Sequence, residues 1–149
     1  MSNTSNSNSS DNITTDFDHI GGKDAEKTRQ DLIRLRDNDP DFTELNWSFR
    51  RVGDEGVKAL TEMLNSNTIL NTLNISYNRI NAEGGKAMAE MLMTNKTLNT
   101  LNISGNDIGT EGGKAVAEIL MTNKTLNTLY ISDNDISNDL SLPITTFVA

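Results

Sequence analysis

From Phe42 onward the apolar positions of this chain recur with a fixed step. Leu70, Leu73, Ile75 and Ile80 return as Leu98, Leu101, Ile103 and Ile108, and again as Leu126, Leu129, Ile131 and Ile136, a period of 28 residues. Within one period the pattern changes its rhythm. Leu73 and Ile75 alternate with Thr72, Asn74 and Ser76, the two-residue rhythm of a strand with one buried face. After Asn78 and Ile80 comes Gly84, and then Ala87, Met88, Met91 and Leu92 fall at helical spacing. Asn95 follows, suited to ending the helix or turning the chain. Each period therefore predicts one strand, a bend and one helix. The stretch at 70–97 is identical to that at 98–125 at 22 of 28 positions. FTELNWSFRRVGDEGVKALTEMLNSNTI, at 42–69, is a more diverged copy, and LNTLYISDNDIS, at 126–137, a shortened one. The apolar side chains of one period cannot offset the ordering cost of its 28 residues, so a single copy needs the face of the next, and a stacked array follows.

Ahead of the array, DAEKTRQDLIRLRD at 24–37 sets Ala25, Thr28, Leu32 and Leu35 along one helical face, with acids in the first turn and arginines near the last. Asn38-Asp39-Pro40 closes that helix, because the residue before proline avoids the α region. The Ser/Asn/Thr-rich N-terminus lacks apolar side chains to order it. The expected organisation is a disordered tail at 1–22, a capping helix at 23–41, repeats at 42–136 and an irregular cap or tail at 137–149. In that last segment Pro143 opposes a normal helix. Three outcomes stay open there: Leu140, Leu142, Ile144, Phe147 and Val148 fold back as a cap, two chains meet as a weak dimer, or the chain is a truncated relative of a longer array.

The series Leu70-Leu73-Ile75-Asn78-Ile80, repeated from Leu98 and Leu126, is the LxxLxLxxNxL pattern, and it resembles the leucine-rich repeats. The 28-residue step and the EGGKAxAExL helix are similar to the ribonuclease-inhibitor-like subfamily. The resemblance implies an α/β solenoid of about 3.5 repeats, a right-handed βα horseshoe with a parallel sheet on its concave side. It departs in the first copy, where Phe42, Trp47 and Arg50 replace Leu, Ile and Asn, leaving one rung of a recurring asparagine series open. Asn78, Asn106 and Asn134 are suited to hydrogen-bond the backbone of adjacent turns, and Gly56, Gly84 and Gly112 either allow close packing or adopt a φ other residues avoid. The opening, DLIRLRDNDPDFTELNWS, resembles that of the tropomodulin leucine-rich domain, a family that caps actin filament ends.

Composition narrows the function. A net charge of −8 opposes nucleic-acid binding. No cysteine and a single histidine remove a disulfide framework, a thiolate nucleophile and a His-based triad or metal site. The N-terminal segment has neither a basic start nor an apolar core, and no apolar run is long enough for a membrane span, so a cytoplasmic protein is expected. No base accompanies the Ser, Thr and Asn rows, so the reading is a non-enzymatic protein-interaction module or scaffold with an unknown protein partner and no cofactor. The binding surface is expected where near-identical copies differ in chemistry. One position past each strand's serine stand Phe49, Tyr77, Gly105 and Asp133; two further on stand Arg51, Arg79, Asp107 and Asp135. Phe49, Arg51, Tyr77 and Arg79 are the expected anchors, with Asp107, Asp135 and the strand residue Tyr130 beside them; drift of exposed loop residues is the competing account. Two further functions follow from resemblance: a GTPase activator of the Ran type, with Arg79 or Arg51 as the matching arginine, and tropomodulin-like capping. The Lys58/Glu62, Lys86/Glu90 and Lys114/Glu118 pairs, Glu55, Glu83 and Glu111 near helix starts, the core methionines 63, 88 and 91, and Trp47 in the Ile75 register are read as structural. Met93 and Met121 are expected to be partly exposed.

Overall fold

The fold is taken from a computed structural model, which describes residues 24–137 and 147–148. Helix α1 (Ala25–Arg36) precedes β1 (Glu44–Asn46), α2 (Gly53–Leu64), β2 (Thr72–Asn74), α3 (Ala82–Thr94), β3 (Thr100–Asn102), α4 (Gly109–Leu120), β4 (Thr128–Tyr130) and β5 (Phe147–Val148). The strands form one parallel sheet in chain order. Leu45 pairs with Leu73, Leu73 with Leu101 and Leu101 with Leu129, a register of one full period per strand. The solenoid predicted from the repeat is therefore present: strands side by side on one face, helices packed in series on the other.

Strands β1 to β4 are each three residues long, and the central residue of each is the buried one. Leu45, Leu73, Leu101 and Leu129 point into the core beside Trp47, Ile75, Ile103 and Ile131, and Val57, Leu60, Leu64, Met88, Met91, Leu92, Val116 and Leu120 close it from the helices. Met63 is partly buried against this core, while Met93 and Met121 are exposed. Gly84 and Gly112 answer the packing alternative: a Cβ there would sit 2.3 Å from Ile80 Cγ2 and 2.4 Å from Ile108 Cγ2, so each helix presses its glycine onto the preceding bend.

Two asparagine ladders tie turn to turn. In the first, the Asn78 amide donates to the carbonyls of Trp47 (2.8 Å) and Ser76 (3.1 Å), and its Oδ1 accepts from the backbone N–H groups of Arg50 and Val52. Asn106 repeats this with the carbonyls of Ile75 and Ile103 and the N–H groups of Asn78 and Ile80, and Asn134 with the carbonyls of Ile103 and Ile131 and the N–H of Ile108. The second ladder goes beyond the turn role expected of Asn95. Asn67, Asn95 and Asn123 donate to Leu35, Leu64 and Leu92, each a carbonyl in the last turn of the helix one repeat earlier than the one the asparagine follows. Their Oδ1 atoms accept from the two N–H groups that lead into the next strand. Helix α1 thus takes the place of a preceding repeat's helix.

The rung left open at Arg50 is filled differently. Arg50 reaches Thr28 Oγ1 (3.1 Å) and Asp31 Oδ2 (3.3 Å) on α1, and Asp31, 1% exposed, also accepts from Trp47 Nε1 (2.8 Å) and Lys27 Nζ (3.1 Å). Arg34 lies 4.0 Å over the Phe42 ring and donates to Asp39, whose carboxyl is held below its ordinary range by that bond and by the Asp41 N–H. Among the described residues every buried side-chain nitrogen and oxygen has a partner. At the other end, β5 pairs in parallel with β4, Leu129 against Phe147. The segment 138–146, with Leu140, Leu142, Pro143 and Ile144, lies outside the described residues, as does the expected disordered tail.

One expected detail is corrected. Lys58, Lys86 and Lys114 pair with Glu55 (4.0 Å), Glu83 (3.6 Å) and Glu111 (4.0 Å), the acids one turn earlier, rather than with Glu62, Glu90 and Glu118. Helical lysines lean toward the N-terminus, which directs them onto the residue three positions back.

Candidate interaction site

The backbone ladder does not stop where the strands end. Phe49 N–H donates to Ser76 O (3.1 Å), Tyr77 to Ser104 O (3.0 Å) and Gly105 to Ser132 O (3.0 Å). These bonds, with the first asparagine ladder immediately behind them, hold Phe49 (φ 60°), Tyr77 (56°) and Gly105 (67°) in the left-handed region, which Asp133 (57°) shares. Only glycine adopts that conformation without cost, and a bulky residue there is strained. Two of the four rungs nevertheless carry aromatic rings.

Those rings are displayed. Phe49 is 70% exposed and Tyr77 45%, and they stack with centroids 4.6 Å apart and planes at 4°. Tyr77 in turn lies across Gly105, where an added Cβ would fall 2.3 Å from its Cε1. The glycine is thus a floor for the ring, a role not legible from its place in the repeat. Phe49, Tyr77 and Gly105 form one continuous row along the edge of the array.

The second series is less uniform. Arg51 (φ 57°), Arg79 (62°) and Asp135 (55°) share the left-handed conformation; Asp107 does not. All four are exposed. The structure therefore brings six of the seven expected binding residues onto one edge, aromatic and basic at the α1 end, acidic at the other. Tyr130 is the exception. It stands in β4, in register with Asn102, half-buried on the sheet face.

Among the described residues no cluster of three or more His, Cys, Asp or Glu could hold a metal ion, and no helix is long and apolar enough to cross a membrane. The space between α3 and α4 is an open groove bordered by Lys86, Glu90, Met93 and Lys114. An edge of stacked aromatics, guanidinium groups and carboxylates on a rigid backbone is equipped to grip another macromolecule's surface.

Residues 24–141 match the family profile of the TMOD/LMOD leucine-rich domain. The chain belongs to the tropomodulin/leiomodin leucine-rich domain family. The match supports the resemblance seen in the opening helix and first strand; assignment to the ribonuclease-inhibitor-like subfamily is not what it identifies. Among solved structures, one titled leiomodin-1 actin-binding site 2 is 31% identical, with a TM-score of 0.69, over 71% of this chain and 62% of that one. The chain thus spans less than two thirds of that relative's length. A tropomodulin C-terminal domain of Caenorhabditis elegans is 16% identical, with a TM-score of 0.63, over 76% of this chain and 67% of that one, a likeness of fold. No curated protein sequence matches significantly. In this family the leucine-rich domain is a protein-interaction module.

Proposed function

We propose that this chain is an actin-binding module that docks through its post-strand edge, with Phe49 and Tyr77 as anchors and Arg51 and Arg79 flanking them. Asp107 and Asp135 extend the same contact and Tyr130 meets the partner from the sheet face. The supporting observation is the stacked, exposed Phe49–Tyr77 pair held in left-handed backbone. Neither ring is buried in the core, and both occupy a conformation costing roughly 1–2 kcal/mol for a non-glycine residue. A protein keeps such strain where the displayed side chain has work to do. The leiomodin-1 structure similar to this one is named as an actin-binding site, which supplies the partner class. Capping of filament ends in the cytoplasm is the action we carry forward from the tropomodulin resemblance, as binding without chemistry of its own.

The test is filament shortening from the pointed end, with barbed ends blocked, together with co-sedimentation. The full chain slows subunit loss. A Phe49→Asn/Tyr77→Asn variant keeps its melting temperature, because asparagine tolerates the left-handed region, and loses at least about tenfold in apparent affinity. A folded wild-type chain that leaves actin untouched overturns the actin reading; a variant as effective as wild type overturns the edge.

A further inference from the structure

The charges on the edge follow an order that a generic docking surface does not need. One rung at a time from the α1 end they read Arg51, Arg79, Asp107, Asp135. All four are exposed, and none has an ion-pair partner among the described residues, whereas the lysines of the helix face are paired within the chain. The order positive, positive, negative, negative inverts its sign when read backwards. An antiparallel second copy therefore meets the first with each of these four charges opposite its complement and with Asp133 opposite Phe49.

The geometry allows the rungs to meet together. Successive strands pair at one full period, so each step along the edge is the same strand-to-strand spacing, about 4.8 Å, in both copies. The inter-turn hydrogen bonds of Phe49, Tyr77 and Gly105 and the asparagine ladder hold these loops, so little backbone freedom is lost on association. We propose that two copies of this chain pair edge to edge about a two-fold axis, Arg51 of one facing Asp135 of the other and Arg79 facing Asp107. The contact is isologous, so each pairing occurs twice. It covers the Phe49–Tyr77 row, so pairing and docking of another protein on this edge exclude one another. This inference does not rest on the actin reading, and its test contains no actin.

The test is sedimentation equilibrium of the full chain, up to millimolar concentration and at one fixed salt concentration, for wild type, Arg79→Glu, Asp107→Arg and the double variant carrying both. Wild type reaches a monomer–dimer equilibrium. Each single variant weakens it about tenfold, and the double variant, which restores complementarity with the signs exchanged, returns to within about threefold of wild type. Asp107→Arg is the sharper arm. It removes two units of negative charge from a chain carrying −8, so general repulsion alone would make it associate more strongly, whereas edge pairing makes it associate less. Melting curves verify that each variant is folded. A strictly monomeric wild type overturns the proposal, as do singles that dimerise like wild type or a folded double variant that fails to recover.

Discussion

Asn106 shows how much of this structure rests on single side chains. It is 4% exposed, and its amide and Oδ1 satisfy five backbone groups on two turns: the carbonyls of Ile75, Ile103 and Ser104 and the N–H groups of Asn78 and Ile80. An unpaired buried amide costs more than its hydrogen bond contributes. Asn106→Ala should therefore destabilise the array by about 2–4 kcal/mol, read as a lowered urea midpoint with little change in slope. Asn78, Asn106 and Asn134 could be assigned to this role from sequence because they recur once per period at one fixed place, between the strand and the recurring Ile80, Ile108 and Ile136. Asn67, Asn95 and Asn123 recur just as regularly. Their reach back to the helix one repeat earlier was not legible, since that contact depends on how far the helix end stands from the next strand. The left-handed backbone of Phe49 and Tyr77 was invisible for a related reason: neither residue type favours it, and only the inter-turn hydrogen bonds impose it.

Helix α1 differs in kind from α2, α3 and α4, although it stacks as they do. Its apolar face, Leu32 and Leu35, was readable from spacing, and so was its end before Pro40. Asp31 was not: on a helix wheel it is one more acidic residue, yet it is buried and accepts bonds from Trp47, Lys27 and Arg50. The departures of the first copy, Trp for Ile and Arg for Asn, become intelligible once this carboxylate is placed, because both replacements point a donor at it. Removing it would leave Arg50 as a largely buried cation and the Trp47 N–H without its acceptor. Asp31→Ala should cost about 3–5 kcal/mol and loosen α1 first, detectable as faster amide exchange at 25–36 than in α3.

As a whole molecule the array behaves as a stack of nearly equal layers, each packed on its neighbours. Because 70–97 and 98–125 are so alike, deleting residues 98–125 joins Thr97 to Leu126 in register and presents β4 to β2 across an interface close to the native one. That protein should still fold, with a lower midpoint and a proportionally smaller urea slope, as expected where stability sums over layers. Collapse of the shortened chain would show that one layer is indispensable. The aromatic-to-acidic gradient along the edge exists only at this scale, since it is a property of the order of copies and of none of them singly.

The repeat length, the alternation of strand and helix, the core side chains and the first asparagine ladder followed from the chain's own periodicity, because burial in a solenoid is a nearest-neighbour matter and identical copies must bury identical positions. The positions that share the proposed docking edge were also readable, as the places where near-identical copies diverge. Three-dimensional packing alone decided the rest. It flattened Tyr77 over Gly105, stacked Phe49 upon it and drew Asp31 into the core. Each of these depends on distances between turns, which no single period encodes.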